Sequence, residues 1–283
     1  MHVLTINSLS LEQADRLTDE LAFLLPEPLS LSMVEEPDEI LWRVEAHFAE
    51  APRDEDIRAI AGELPFRLEE LVQRDWVVES LKGLAPVRAG RFYVHGGHDR
   101  DNIPAGVIPI EIEASVAFGT GHHGTTAGCL MALSDVLKRK VPYPALDLGC
   151  GSGVLAIAYA LATRLPVLAT DIDPIAVRET LSNARKNKAG PLVQARTANG
   201  LDHQSIRDGA PYGLILANIL ARPLEKLAPG LCAMLAADGE IILSGLTNAQ
   251  ERRVAAAYRM HGLCLARRIR LGGWSTLVLN RGA

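Results

Sequence analysis

The segment Ala145-Leu146-Asp147-Leu148-Gly149-Cys150-Gly151-Ser152-Gly153 constrains this chain more than any other. Four residues suited to a buried strand run into three alternating glycines, and the apolar stretch Val154–Ala162 follows at once. A strand that turns through glycines into a helix opens a doubly wound α/β sheet, where bare backbone approaches a ligand at the carboxyl end of the strand. The spacing separates two classes of ligand. Dinucleotide sites use G-x-G-x-x-G, whose third glycine lies three residues after the second. Here Val154 stands in that place, and the acidic Asp147 precedes the loop, where it would repel a pyrophosphate. S-adenosylmethionine (AdoMet) has no phosphate but carries an ammonium group, so the acid suits AdoMet better.

The surrounding pattern extends the same architecture. Val167–Asp171 reads as the next strand and Pro174–Asn187 as a helix with proline in its first turn. Leu192–Thr197, Leu214–Ile219 and Glu240–Ser244 are further strands, and Leu224–Leu235 and Gln250–His261 further helices. Leu263–Leu271 and Trp274–Leu279 flank Gly272-Gly273, a hairpin signal. The alternation predicts a mostly parallel sheet covered on both faces, with an antiparallel edge strand. Asp171 falls at the end of the second strand, where a carboxylate accepts hydrogen bonds from ribose hydroxyls. Asp173, just before Pro174, is read as a helix N-cap. Asn218 follows an apolar run at the end of its strand, so it faces the ligand crevice. Its side-chain carbonyl and the next backbone carbonyl could accept from an amine and turn the nitrogen lone pair toward a methyl donor, with rate gained from orientation. The competing reading makes Asn218 the cap of the helix that follows.

The first 73 residues differ. A strand at His2–Ile6, a helix opening at Ser10, strands at Leu29–Val34 and Ile40–Phe48, a helix at Asp54–Glu63 and a strand at Phe66–Val72 give β-α-β-β-α-β, the order of a ferredoxin-like α+β module. Residues 74–96 read as a short helix and an extended connector, or else as the first part of the second domain. A chain of 283 residues fits two domains. Its net charge of −5 hides an asymmetry: residues 1–80 carry 19 acidic and 6 basic side chains, and the remainder 15 acidic and 23 basic. Cys129, Cys150, Cys232 and Cys264 form no C-x-x-C pair, so neither a metal cluster nor a disulfide framework is expected, and a reducing cytoplasm fits. No apolar run of about 18 residues predicts a membrane span, and no signal peptide is visible.

The stretch Ala117-Phe118-Gly119-Thr120-Gly121-His122-His123-Gly124-Thr125-Thr126 resembles the A-F-G-T-G-x-H-x-T-T signature of the methyltransferases of large-subunit ribosomal protein L11 (PrmA-type). Asp147 to Gly153, Asp171-Ile172-Asp173-Pro174 and Asn218-Ile219-Leu220-Ala221-Arg222-Pro223-Leu224 are similar to that family's later motifs, in the same order. The resemblance implies a Rossmann-like class I methyltransferase fold, a seven-stranded sheet ending in an antiparallel hairpin. It also implies AdoMet-dependent methylation of lysine side chains and the N-terminal amine of L11. Thr126, Gly149, Gly151, Asp171 and Asn218 would contact AdoMet, and Phe118, Gly119 and Gly121 would shape the loop over it. Asn218 would be the catalytic residue. Residues 1–73 would bind the substrate protein, 74–96, with Asp75-Trp76, would be the linker, and 97–283 the catalytic domain. A monomer is expected, with no nucleic-acid or membrane partner.

Read by themselves, Gly119, Gly121 and Gly124 make a pliable loop before an apolar helix that begins near Thr126, with Thr125 or Thr126 as its possible N-cap. His122 and His123 invite a general-base role. Yet a lysine proton, with pKa near 10.4, can pass to solvent before docking. Cys150 suits a packing role inside the glycine loop. Three other functions compete. Another protein, such as an electron-transfer flavoprotein subunit, could be the substrate. Methylation of a nucleic-acid base normally adds an aromatic stacking residue, where this chain has Leu220 and Ala221. The acidic first unit would also repel phosphates. A binding module that has lost activity conflicts with the intact loop, Asp171 and Asn218. The acidic unit suits a basic, lysine-rich protein.

Overall fold

The computed structural model describes residues 2–28, 30–35, 41–70, 86–112 and 124–282. The chain divides into two compact units, Met1–Trp76 and Val77–Ala283. In the first, β1 (His2–Leu9), β2 (Ser30–Glu35), β3 (Trp42–Phe48) and β4 (Phe66–Glu70) form an antiparallel sheet in the order β2-β3-β1-β4. Helices α1 (Leu11–Leu21) and α2 (Asp54–Ala61) complete the ferredoxin-like order. Helix α1 starts where the sequence signals it. Ser10 Oγ accepts from Gln13 N at 3.2 Å while Gln13 Oε1 accepts from Ser10 N at 2.9 Å, a reciprocal capping box. Alternation along β3 buries Trp42, Val44, Ala46 and Phe48 with Ala14, Leu17 and Leu21 of α1 in one core. Leu11, which opens the first turn, is 46% exposed.

In the second unit, a small sheet of β5 (Val87–Ala89), β6 (Phe92–His95) and β7 (Ile108–Glu111) comes first. The sequence suggested an extended connector over part of this span. The structure instead has a hairpin, closed at Gly90 with φ 61°. Three- and four-residue strands leave too little periodicity to read. Helix α3 (Gly124–Arg139) then leads to β8 (Ala145–Leu148), α4 (Val154–Thr163), β9 (Val167–Asp171), α5 (Pro174–Lys186), β10 (Val193–Thr197) and the short α6 (Gln204–Gly209). After these come β11 (Tyr212–Asn218), α7 (Ala221–Met234), β12 (Leu235–Thr247), α8 (Glu251–Arg259), β13 (Cys264–Leu271) and β14 (Trp274–Asn280).

The main sheet has the order β10-β9-β8-β11-β12-β14-β13, with β14 antiparallel to both neighbours. Gly272 and Gly273, at φ 49° and 77°, close the predicted hairpin in the left-handed region that two-residue turns require. Strand β11 is buried from Tyr212 to Ala217 and serves both faces: Leu214 and Leu216 join the core with α3 and α4, and Ile215 and Ala217 the core with α7 and α8. Asn218 therefore shares the face of Leu214 and Leu216, beneath α3. The strand order reverses between β8 and β11, which opens a crevice at their carboxyl ends.

Candidate functional site

The glycine loop lies at this reversal. Gly149, Gly151 and Gly153 have φ of 72°, 52° and 81°, a conformation costly for any residue with a Cβ. A Cβ on Gly149 would overlap Ile219 Cγ2, and one on Gly153 would lie 2.8 Å from Thr180 Cγ2. The loop amides are already engaged. Gly149 N and Cys150 N donate to Thr170 O at 2.8 and 3.0 Å, Gly151 N to Asp171 Oδ2 at 2.8 Å, and Gly153 N to Cys150 O at 2.7 Å. A loop with its N–H groups so occupied cannot cradle a phosphate as an anion nest does. That agrees with the spacing argument against a dinucleotide.

Two acids hold the loop in place. Asp147 is 1% exposed; its Oδ2 accepts from Ala156 N at 2.9 Å, an otherwise orphan donor in the first turn of α4. Asp147 Oδ1 is buried with no partner among the described residues. Burial, chiefly, and then the nearby Asp171 push its carboxyl up to about 7, against the Ala156 hydrogen bond. Between about pH 4 and 7 the folded chain thus keeps a proton that the unfolded chain releases, so stability falls as pH rises through that window. The span is on the order of 4 kcal/mol. Asp147→Asn should flatten this part of the stability curve relative to the parent, as urea unfolding of the ligand-free protein from pH 4 to 8 would show. Parallel curves for the two proteins would contradict it.

Asp171 ends β9 as expected. Its Oδ2 takes the Gly151 amide and its Oδ1 the Asp173 amide at 3.0 Å. Each oxygen retains a lone pair for a hydroxyl donor. Asp173 is the N-cap of α5, accepting from Ile175 N at 2.7 Å, with Pro174 at the first helical position. Thr180 and Asn183, whose importance the sequence reading missed, brace the loop from α5. Thr180 Oγ1 donates to Gly151 O and Asn183 Nδ2 to Ser152 O, each at 2.9 Å. The available signal was two polar residues at i, i+3 on the buried face with Ala176, Val177 and Ala184. Cys150 is buried and Thr180 Oγ1 lies 3.3 Å from its sulfur; burial raises its thiol pKa, so it packs as an inert residue.

Asn218 and Thr126, singled out 92 positions apart, come together: Asn218 Nδ2 donates to Thr126 Oγ1 at 3.3 Å. Among the described residues nothing donates to Asn218 Oδ1, which leaves that acceptor available at the crevice. The capping alternative is not what the structure shows. Helix α7 has Leu220 at its N-cap, with no side-chain cap bond. Thr125 and Thr126 lie within helix α3, and both are buried. Gly245, at φ 83°, admits the Ile219 carbonyl where a Cβ would overlap its oxygen, fixing the turn after Asn218. Phe118, Gly119, Gly121, His122 and His123, like Asp75 and Trp76, lie outside the described residues. No cluster of three metal-ligating side chains occurs among the described residues, and no helix among them is long and apolar enough to cross a membrane.

The family model for ribosomal protein L11 methyltransferase (PrmA) matches residues 23–282. The chain belongs to this family. Relatives named ribosomal protein L11 methyltransferase from Rhodopseudomonas palustris (strain BisB5) and Brucella suis (strain ATCC 23445 / NCTC 10510) are 48% and 46% identical. Each match covers 89% of this chain and 87% and 89%, respectively, of the relative. A solved structure titled ribosomal protein L11 methylase, from Lactobacillus delbrueckii subsp. bulgaricus, aligns with TM-score 0.62 at 26% identity, over 71% of this chain and all of that one. As a PrmA-family member the chain is a class I methyltransferase, and its cofactor is AdoMet. The second unit fits that ligand. Its glycines leave a cradle that side chains would fill, its loop amides are closed to phosphate, and the orphaned oxygen of Asp147 lies buried beside the loop.

Proposed function

We propose that this enzyme transfers methyl groups to lysine side chains and the N-terminal amine of ribosomal protein L11, in the cytoplasm. The observation that carries this substrate is the match to relatives so named, which extends over 89% of the chain and so beyond the catalytic unit. In this reading residues 1–73 hold the substrate protein, and their acidic surface complements a lysine-rich partner. Asp171 receives the ribose hydroxyls, while Gly149 and Gly151 let the backbone close on the ligand. Thr126, with Phe118, Gly119 and Gly121 of the signature, completes the enclosure. Asn218 is the catalytic residue.

Its chemistry follows from the available carbonyl. When bound, AdoMet supplies a methyl group on a positively charged sulfur. Asn218 Oδ1 accepts a hydrogen bond from the neutral substrate amine, and that bond directs the nitrogen lone pair into the crevice. Thr126 holds the other end of the carboxamide, so Oδ1 rather than Nδ2 faces the amine. The amine must lose one proton beforehand, and bulk water can take it. No histidine base is needed. Incubating the enzyme and labelled AdoMet with L11 of the same source, then locating label by mass spectrometry, tests the assignment. Label on L11 lysines and its N-terminus is the expected result. An unlabelled L11 beside a labelled electron-transfer flavoprotein subunit would overturn the substrate.

A further inference from the structure

We infer that the buried hydroxyl pair Ser244–Thr276 positions the acceptor asparagine by setting the depth of helix α3. This rests on the reading of Asn218 as the residue that orients the amine. Asn218 and Ser244 are register partners on β11 and β12, so their side chains rise from the same face of the sheet. Next in that row, Thr276 on β14 places its Oγ1 2.9 Å from Ser244 Oγ. Ser244 Oγ in turn donates to Ser275 O at 3.1 Å, which makes Thr276 the donor within the pair. Ser244 is 0% and Thr276 2% exposed.

Helix α3 lies on this row at two points. Thr126, 1% exposed, meets Asn218. Two residues on, Gly128 meets Thr276 so closely that a Cβ there would overlap Thr276 Oγ1 and lie 3.1 Å from Thr276 Cβ. The helix backbone thus rests on Thr276, whose hydroxyl is held by Ser244. A rigid helix seated at residue 128 has little freedom at residue 126. The 3.3 Å bond to Asn218 is already long, so a small lift of α3 breaks it. The carboxamide would then rotate, and Oδ1 would lose its fixed direction. Stability alone does not require these hydroxyls, since an apolar pair of the same shape would fill the space at nearly equal stability. Ser244 and Thr276 are positioning residues: they act on the amine through Thr126 and Asn218.

Thr276→Val keeps the branching but puts a methyl, larger than the hydroxyl oxygen and unable to donate to Ser244, where Oγ1 faces Gly128, so α3 is lifted. It should lower kcat about tenfold, while the Kd for AdoMet stays within about twofold, since a misplacement of this kind acts on orientation. Thr276→Ser, which keeps the hydroxyl, should recover most of the rate. Ser244→Ala should repeat the loss. Gly128→Ala, which drives α3 upward, should exceed it, and Gly128→Ala with Thr276→Ala should regain part. A kcat unchanged in both Thr276→Val and Ser244→Ala overturns the inference. So does a loss that Thr276→Ser fails to rescue. Asn218→Ala run alongside separates the two readings. If it too leaves kcat unchanged, the role of Asn218 falls; if it alone lowers kcat, only the positioning pair falls.

Discussion

Asn218→Ala is expected to reduce kcat for methyl transfer by about 10²- to 10³-fold, the range seen when one preorganised hydrogen-bonding group is removed from a reacting centre. The loss should appear in kcat far more than in AdoMet affinity, because the side chain acts on the amine. Its structural cost should be small. Asn218 is half-buried, and its hydrogen bond among the described residues is the 3.3 Å contact to Thr126. Losing that bond costs about 1 kcal/mol, a fall in Tm of about 2–4 °C for a unit of this size. Initial rates on L11 together with calorimetry give both numbers. A variant with full kcat would remove Asn218 from the mechanism. One that simply unfolds would show the side chain to be structural.

The second large effect is on ligand affinity. Asp171→Ala should raise the Kd for AdoMet by about 10²- to 10⁴-fold. Two hydrogen bonds from ribose hydroxyls to a charged acceptor contribute roughly 3–6 kcal/mol together. The same change strips the acceptor from the Gly151 and Asp173 amides, so the glycine loop loses its tie to β9. Asp171→Asn divides these roles: one oxygen remains for an amide, and the negative charge is gone. Its Kd should fall between those of the parent and the alanine variant. Titration calorimetry with AdoMet measures all three. An unchanged Kd in Asp171→Ala would mean that the carboxylate serves the loop alone.

The large sheet was legible because its strands announce themselves twice, by apolar runs and by what ends them. Ala145–Leu148 runs into glycines, Val167–Leu168 leads to Asp171, and the apolar run of β11 stops at Asn218. Each terminator is also the residue that faces the crevice, so the fold and the candidate site were read from the same letters. The hairpin at Gly272-Gly273 and the cap at Ser10 were legible because turn and cap chemistry is local. The small sheet of β5, β6 and β7 was not, since so few residues carry no period. The contacts around α3 were hidden for a different reason. Nothing local in Gly128 says that it meets Thr276 148 positions later, or that Thr126 meets Asn218. Such pairs exist only once the sheet order is fixed.

That order has a last consequence. Leu216 and Ala217 pair in register with Asp147 and Leu148, so Gly149 and Asn218 begin their loops side by side on neighbouring strands, about 5 Å apart. With the roles proposed for Gly149 and Asn218, alignment of methyl donor with acceptor is written into a backbone ladder, and no side chain can restore it once shifted. A single residue inserted into β11 ahead of Asn218 would turn that side chain to the α7 face and leave an apolar neighbour at the crevice. The residues between β10 and β11 could lengthen with no such penalty. Over generations, a protein of this kind is therefore free to vary in the length of its loops, while the spacing along these two strands stays a fixed ruler.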